Sequence, residues 1–202
     1  MKTKHMLLTT ALVMIVSVPA FAADSKAPVN PGVRNVNQQE RIEKGLDSGA
    51  LTTNEAAKLE KGAAGVNKLE SKALKDGTVT DAEKARIEQA QNAESALIKK
   101  EKHDDQKGNP DSASSKAMQE NVQRNINQQE RINQGVKSGE LNAKEASKLE
   151  GREAGINNAE AKAGKDGRIG AKEEARLDKK QDKSSRHIFR QKHDRQKRHK
   201  KG

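Results

Sequence analysis

Three groups of residues in this chain have types and spacings that could do chemistry. The first is a set of carboxylates beside glycine turns: Asp76 and Glu83 around Gly77, and Asp166 and Glu173 around Gly167. An acid, a glycine, an apolar residue and a closing glutamate can offer oxygen donors to a hard cation such as calcium. The second is His103 and His193, each within Lys-His-Asp, with His187 and His199 flanking the latter. A His/Asp pair can ligate zinc or copper. The third is the C-terminal stretch 183–202. It holds Lys183, Arg186, Arg190, Lys192, Arg195, Lys197, Arg198, Lys200 and Lys201 against Asp194 alone. Such a block acts as an interaction tail for anionic, phosphate-rich surfaces.

Each group has a plainer explanation. Around Asp76 and Glu83 the turn is similar to a degenerate EF-hand loop, but only in frame. With Gly77 as the sixth loop position, the first and third fall on Lys72 and Leu74; in the second turn they fall on Lys162 and Gly164. Those positions should supply ligand oxygens. Helix capping accounts for the residues that do match, so divalent-metal binding is the alternative reading and no cofactor is implied. Adjacent His and Asp point to different sides of a helix, and spacings of six do not stack on one face. A solvated helix end accounts for the histidines. In the tail, Ile188 and Phe189 could insert at a membrane surface. No aromatics are interleaved among the cations for base stacking, which argues against sequence-specific nucleic-acid reading. A tail that only confers solubility competes with a binding tail.

Catalytic patterns are missing. The chain has no cysteine, no Gly-x-Ser-x-Gly elbow, no glycine-rich phosphate loop and no His-Glu-x-x-His. Its carboxylates lie near Lys or Arg at helical spacing, as exposed ion pairs do. The expectation is a protein that is not an enzyme.

The elements that would position these groups come in duplicate. Residues 35–104 align without gaps on 125–194, with about half the positions identical. Asn37-Gln38-Gln39-Glu40-Arg41-Ile42 returns as Asn127-Gln128-Gln129-Glu130-Arg131-Ile132, and Lys75-Asp76-Gly77 as Lys165-Asp166-Gly167. Substitutions such as Val66/Ile156 and Ile87/Leu177 keep apolar positions apolar. Each copy predicts three helices, at 33–47, 53–75 and 81–103 in the first. Gly49 and Gly77 stop the first two. Thr52-x-x-Glu55 and Thr80-x-x-Glu83 are capping boxes, and Asn142-x-x-Glu145 repeats the first. Gly170 replaces the last capping threonine, a weaker start. Helix 2 carries a coiled-coil-like seam at Ala56, Leu59, Ala63, Val66 and Ala73, interrupted by Glu70. Gly62 and Gly65 lie within it, either for close approach or as tolerated drift. Turns of about three residues imply antiparallel neighbours.

The expected organisation is therefore all-α: two tandem three-helix repeats, each a slender hairpin stack. Residues 23–32 form a flexible lead-in, 33–104 the first repeat, 105–120 a linker in which helix 1 of the second copy could begin near Ser115, 121–182 the second repeat core, and 183–202 the basic tail continuing the last helix. Residues 1–22 read as a signal peptide: Lys2, Lys4 and His5, an apolar run over 6–18, then Ala20-Phe21-Ala22. The run is too short to span a bilayer, so no transmembrane segment is expected after processing. A periplasmic or secreted location follows. Without cysteine, stability must come from helix packing alone. Only two phenylalanines and no Trp or Tyr occur, and a third of the residues are charged. Narrow seams and little buried apolar area are expected, and exposed seams could self-associate.

The runs Asn-x-Asn-Gln-Gln-Glu-Arg-Ile, Ser-Gly-x-Leu-x-x-x-Glu-Ala-x-x-Leu-Glu and Lys-Asp-Gly-x-Val/Ile, ending near Lys-His-Asp, resemble a group of small secreted helical-repeat proteins of Gram-negative bacteria. The resemblance covers both repeats and implies export and helices, with no activity attached. The formal charge is +11, and nearly all of it resides in the tail. The functional expectation is an exported protein whose basic tail binds anionic lipid or polysaccharide of the cell envelope.

Overall fold

The computed structural model describes residues 32–194. The signal-peptide reading, the lead-in except for Gly32, and tail residues Arg195, Lys197, Arg198, Lys200 and Lys201 lie outside those residues; Gly32, placed in the lead-in, opens the first helix. The described chain is six helices and no strand: α1 (Gly32–Asp47), α2 (Thr53–Ala73), α3 (Asp81–Lys102), α4 (Ala113–Ser138), α5 (Ala143–Ala163) and α6 (Ala171–His193). None is long and apolar enough to cross a membrane.

The punctuation works as its chemistry requires. Thr52, Thr80 and Asn142 each accept from the backbone N–H three residues on, while Glu55, Glu83 and Glu145 reach back to the cap N–H. Gly170 offers no side chain, yet Glu173 still accepts its N–H at 3.0 Å. Gly49, Gly77, Gly139 and Gly167 all have positive φ, between 69° and 96°; other residues would be strained there. Leu51 and Leu141 fold back over Gly45 and Gly135, where a Cβ would collide with them.

Two expectations need correction. The connection between repeats is shorter than 105–120: Ser112 caps α4, which is already helical from Ala113. The added turns of α4 carry Ala117, Met118 and Val122 into the core. Nor are the repeats slender stacks. α2 packs most extensively on α5 and α1 on α4, while α3 covers α2 and α1, and α6 covers α5 and α4. The α2/α5 pair is antiparallel: Ser71 Oγ donates to Ser147 O at 2.8 Å, and Ser147 Oγ to Ser71 O at 2.6 Å. The two copies are thus related by a pseudo-twofold axis and share one interior. One apolar cluster joins Ile42, Leu46, Leu51, Leu59 and Ile98 of the first copy to Met118, Val122 and Leu177 of the second. A smaller one groups Ile132, Leu141, Leu149 and Ile188.

Candidate functional site

The seam residues of α2 and α5 are only partly apolar. Nine glutamates are buried among the described residues: Glu55, Glu101 and Glu145 lie in the first or last turn of a helix, and the other six, away from the helix ends, are Glu60, Glu70, Glu94, Glu150, Glu153 and Glu160. For all of these six but Glu94, amides or a hydroxyl donate to the carboxyl. Asn35 Nδ2 donates to Glu70 at 2.7 Å, and Gln91 Nε2 donates to Asn35 Oδ1 and to Glu70. The second copy repeats this triangle with Asn125, Gln181 and Glu160. Gln39 serves Glu60, and Gln129 serves Glu150. Asn67 crosses the repeat interface to Glu150 at 3.0 Å. Glu153 accepts from Ser184 Oγ at 2.7 Å. At the equivalent places the first copy has Ala63 and Glu94, and a Cβ at Gly62 would collide with the Glu94 carboxyl. Gly62 is therefore a close-approach glycine, whereas Gly65 and Gly155 face open space.

This arrangement needs protons. Glu60 faces Glu160 across the interface, and the charge of Glu160 disfavours ionisation of Glu60. Burial, reinforced by the facing Glu160, holds Glu60 well above the carboxylate range. Burial and the charge of Glu150 do the same to Glu70. Burial pushes Glu150 and Glu160 up to about 7, against hydrogen bonds from Gln129 and Asn125. It pushes Glu153 and Glu94 up to about 8, against Ser184 and Arg41 respectively. Among the described residues, the eight buried polar side-chain atoms without a partner are all oxygens, among them Glu60 Oε1 and Glu94 Oε1. A donor deficit of this kind is relieved by neutral carboxylic acids, each of which supplies an O–H. Clusters of raised carboxyls often mark active sites. Here the space beside the cluster is small: the cavity next to Glu153, lined by Asn35, Gln39, Asn67 and Asn157, holds about 10 Å³, at the lower limit for one water.

The tail residues that fall within the described chain lie along the last turns of α6. Ile188 is fully buried against Ile132, Leu141 and Leu149, so it is a core residue and not a membrane anchor. Phe189 is 57% exposed and stacks on His193, with ring centroids 4.2 Å apart. A shallow surface depression sets Phe189 among Arg131, Arg186 and Arg190. Arg190 contacts His187 at 3.0 Å. Lys192 is turned inward to Glu140 at 3.3 Å and to Gln134, and is little exposed. Lys183 is exposed on the same helix.

The carboxylates singled out for metal do local work. Asp76 Oδ1 accepts from Thr78 N and Asp166 Oδ1 from Arg168 N, each at 3.0 Å. Glu83 and Glu173 close their caps. His103 Nδ1 lies 2.7 Å from Lys99 O and His193 Nδ1 2.7 Å from Phe189 O. Among the described residues the structure assembles none of these six into a group of three potential ligands. The triad that it does assemble is Glu55, Glu101 and Asp104, with oxygens within 4.8 Å of one another. Lys58 Nζ lies 3.7 Å from Glu101 there and supplies a positive charge.

The buried glutamates are what the sequence reading missed. It took the carboxylates for surface ion pairs and saw Glu70 only as a break in the seam. The signal was available: Glu60, Glu70, Glu150 and Glu160 sit beside seam positions, and two pairs of identical residues recur in the two copies. No protein-family model, curated protein or solved structure matches this chain.

Proposed function

We propose that this is an exported, non-enzymatic helical protein that binds a phosphate-bearing anionic component of the cell envelope through the basic end of α6. One observation carries the reading: Phe189 stands exposed at that end within a ring of Arg131, Arg186 and Arg190. An exposed aromatic among guanidinium groups suits an amphiphilic anion, whose phosphates pair with the arginines while its apolar part covers the ring. The same helix leads into the remaining tail cations, Arg195, Lys197, Arg198, Lys200 and Lys201. The buried carboxyls pair with amides and hydroxyls of the same interior, which supports a structural role for them. The basic start, apolar run and Ala20-Phe21-Ala22 support export.

The test is co-sedimentation with vesicles containing anionic lipid or lipopolysaccharide, against neutral vesicles. Three proteins are compared: the processed chain, the same chain ending at Asp194, and Phe189→Ala with Arg186→Ala and Arg190→Ala. Truncation must stop at Asp194, because cutting inside α6 would remove Ile188 from the core. Binding should weaken steeply with salt, and about 1 kcal/mol should be lost per cation removed from the surface. Equal, salt-insensitive binding by all three proteins would refute the reading.

A further inference from the structure

A second cationic feature lies away from the tail, in the groove between the first half of α2 and the last half of α5. Lys58 and Lys61 line one wall, Lys162 and Lys165 the other. Lys58 and Lys61 are three apart on one face of α2, whereas Lys162 lies in the last turn of α5 and Lys165 in the turn that follows Ala163. The antiparallel packing of α2 on α5 sets the two pairs against each other. Ala57 and Ala161 form the floor, with Asn54 and Asn158 alongside, and the groove holds about 450 Å³. That size falls within the range of small-molecule sites.

Two features separate this groove from an ordinary solvated face. Lys58 approaches Glu101 at 3.7 Å, but no carboxylate among the described residues pairs with Lys61, Lys162 or Lys165. Four like charges are thus gathered with one partner, an arrangement that costs free energy until an anion enters. The groove is also held open by composition. At the pseudo-symmetric end of the same helix pair, Ser147 replaces Ala57 and Ser71 replaces Ala161, and those serines bond reciprocally across the helices. The alanines make no such bridge. Asn54 ties the rim together by donating to Lys165 O.

We infer that this groove binds a small anion carrying two phosphoryl groups. With Lys58 beside Glu101, three lysines stay unpaired; each phosphoryl brings about −1.5 to −2 charges near neutral pH, so two balance them while one leaves an excess. Lysine suits this task as a mobile point charge with three donors. The alanine floor and the lysine methylenes would cover the uncharged scaffold joining the phosphoryls. The site is distinct from the end of α6, so either can fail without the other.

Isothermal titration of the processed chain with pyrophosphate tests the assignment, with inorganic phosphate as comparator. Vesicles bearing a bisphosphorylated lipid form a second arm. Saturable binding should be tighter for pyrophosphate than for phosphate. Lys61→Ala with Lys162→Ala should lose about tenfold or more, as expected for removing two contacts to a charged group. Ala161→Leu keeps every charge but fills the floor, and should lose a similar factor. The chain ending at Asp194 should bind pyrophosphate as before, which separates this site from the tail. Groove-dependent binding to the vesicles but not to pyrophosphate would assign the phosphoryls to a lipid headgroup. The inference is overturned if neither probe binds at millimolar concentration. It is equally overturned if Lys61→Ala/Lys162→Ala binds both probes as the unmodified chain does, or if only loss of the tail reduces binding.

Discussion

Replacing Glu153 by Gln should make the protein more stable at neutral pH, and the size of the gain is set by burial. Glu153 is 2% exposed and its carboxyl is pushed from 4.5 up to about 8, first by desolvation and then by the charges of Glu150 and Glu160. The folded protein therefore holds this proton at pH values where the unfolded chain has released it. The stability that comes from the neutral acid is complete below about pH 4.5. It falls as pH rises toward about 8, at about 1.36 kcal/mol per unit for a one-proton difference. Between pH 4.5 and 7 the loss from this group alone is about 3 kcal/mol, an upper bound because Glu150 and Glu160 titrate with it. Glutamine is neutral at every pH and similar in shape to the protonated acid. Its carbonyl can keep the bond from Ser184 Oγ.

Urea unfolding followed by helical circular dichroism, at half-unit intervals from pH 4.5 to 8.5, measures the effect. The unmodified protein should lose stability across that range. Glu153→Gln should lose it with a slope smaller by about one proton, matching the parent near pH 4.5 and exceeding it by up to about 3 kcal/mol at pH 7. A parent whose stability rises from pH 5 to 7 would refute the reasoning. So would a variant destabilised equally at both ends, since the carboxyl would then be ionised and compensated in the fold.

Gly62→Ala should destabilise by about 1–3 kcal/mol, because the new methyl collides with the Glu94 carboxyl; Gly65→Ala, which faces open space, should stabilise by up to about 1 kcal/mol. The pair is read from urea midpoints. Ile188→Ala should cost about 2–5 kcal/mol, while Phe189→Ala should change stability by less than about 0.5 kcal/mol, since one residue is core and its neighbour is surface. Gly170→Thr should gain a few tenths of a kcal/mol by supplying the missing cap oxygen, its φ of −83° being accessible to threonine. Thermal melts resolve these two.

The helices and their ends were legible because their determinants are local. A threonine cap, a glutamate three on and a glycine at positive φ act within one turn of chain, and Gly49, Gly77, Thr52 and Thr80 did what their neighbours required. The relation between the copies was not legible, because it depends on which faces meet. Helix α2 presents Ala56, Leu59, Ala63 and Val66 on the face that also carries Glu60, Asn67 and Glu70. Read alone, such a face is half polar and belongs at a surface. It is buried only because α5 brings an equivalent face by pseudo-symmetry, so that Glu60 lies against Glu160 and Asn67 of one copy reaches Glu150 of the other. Ile188 and Phe189 show the same limit: both are apolar, adjacent and flanked by cations, and only the packing of α6 on α4 and α5 separates core from surface.

Why retain acids in that interior at all? A seam of Ala, Leu and Val alone would let two antiparallel helices slide by a turn at little cost, since small apolar side chains fit many registers. The glutamates forbid this. Glu60 faces Glu160, and Asn67 reaches Glu150, only in the register that also lets Ser71 and Ser147 exchange bonds. A slip of three or four residues would strand several buried acceptors at about 1–3 kcal/mol each. Buried polar groups fix register at the expense of stability in other helical assemblies. Here that expense depends on pH, because the acids are compatible with burial only while they hold their protons. The device that makes the fold unique is thus the same one that makes it sensitive to alkali.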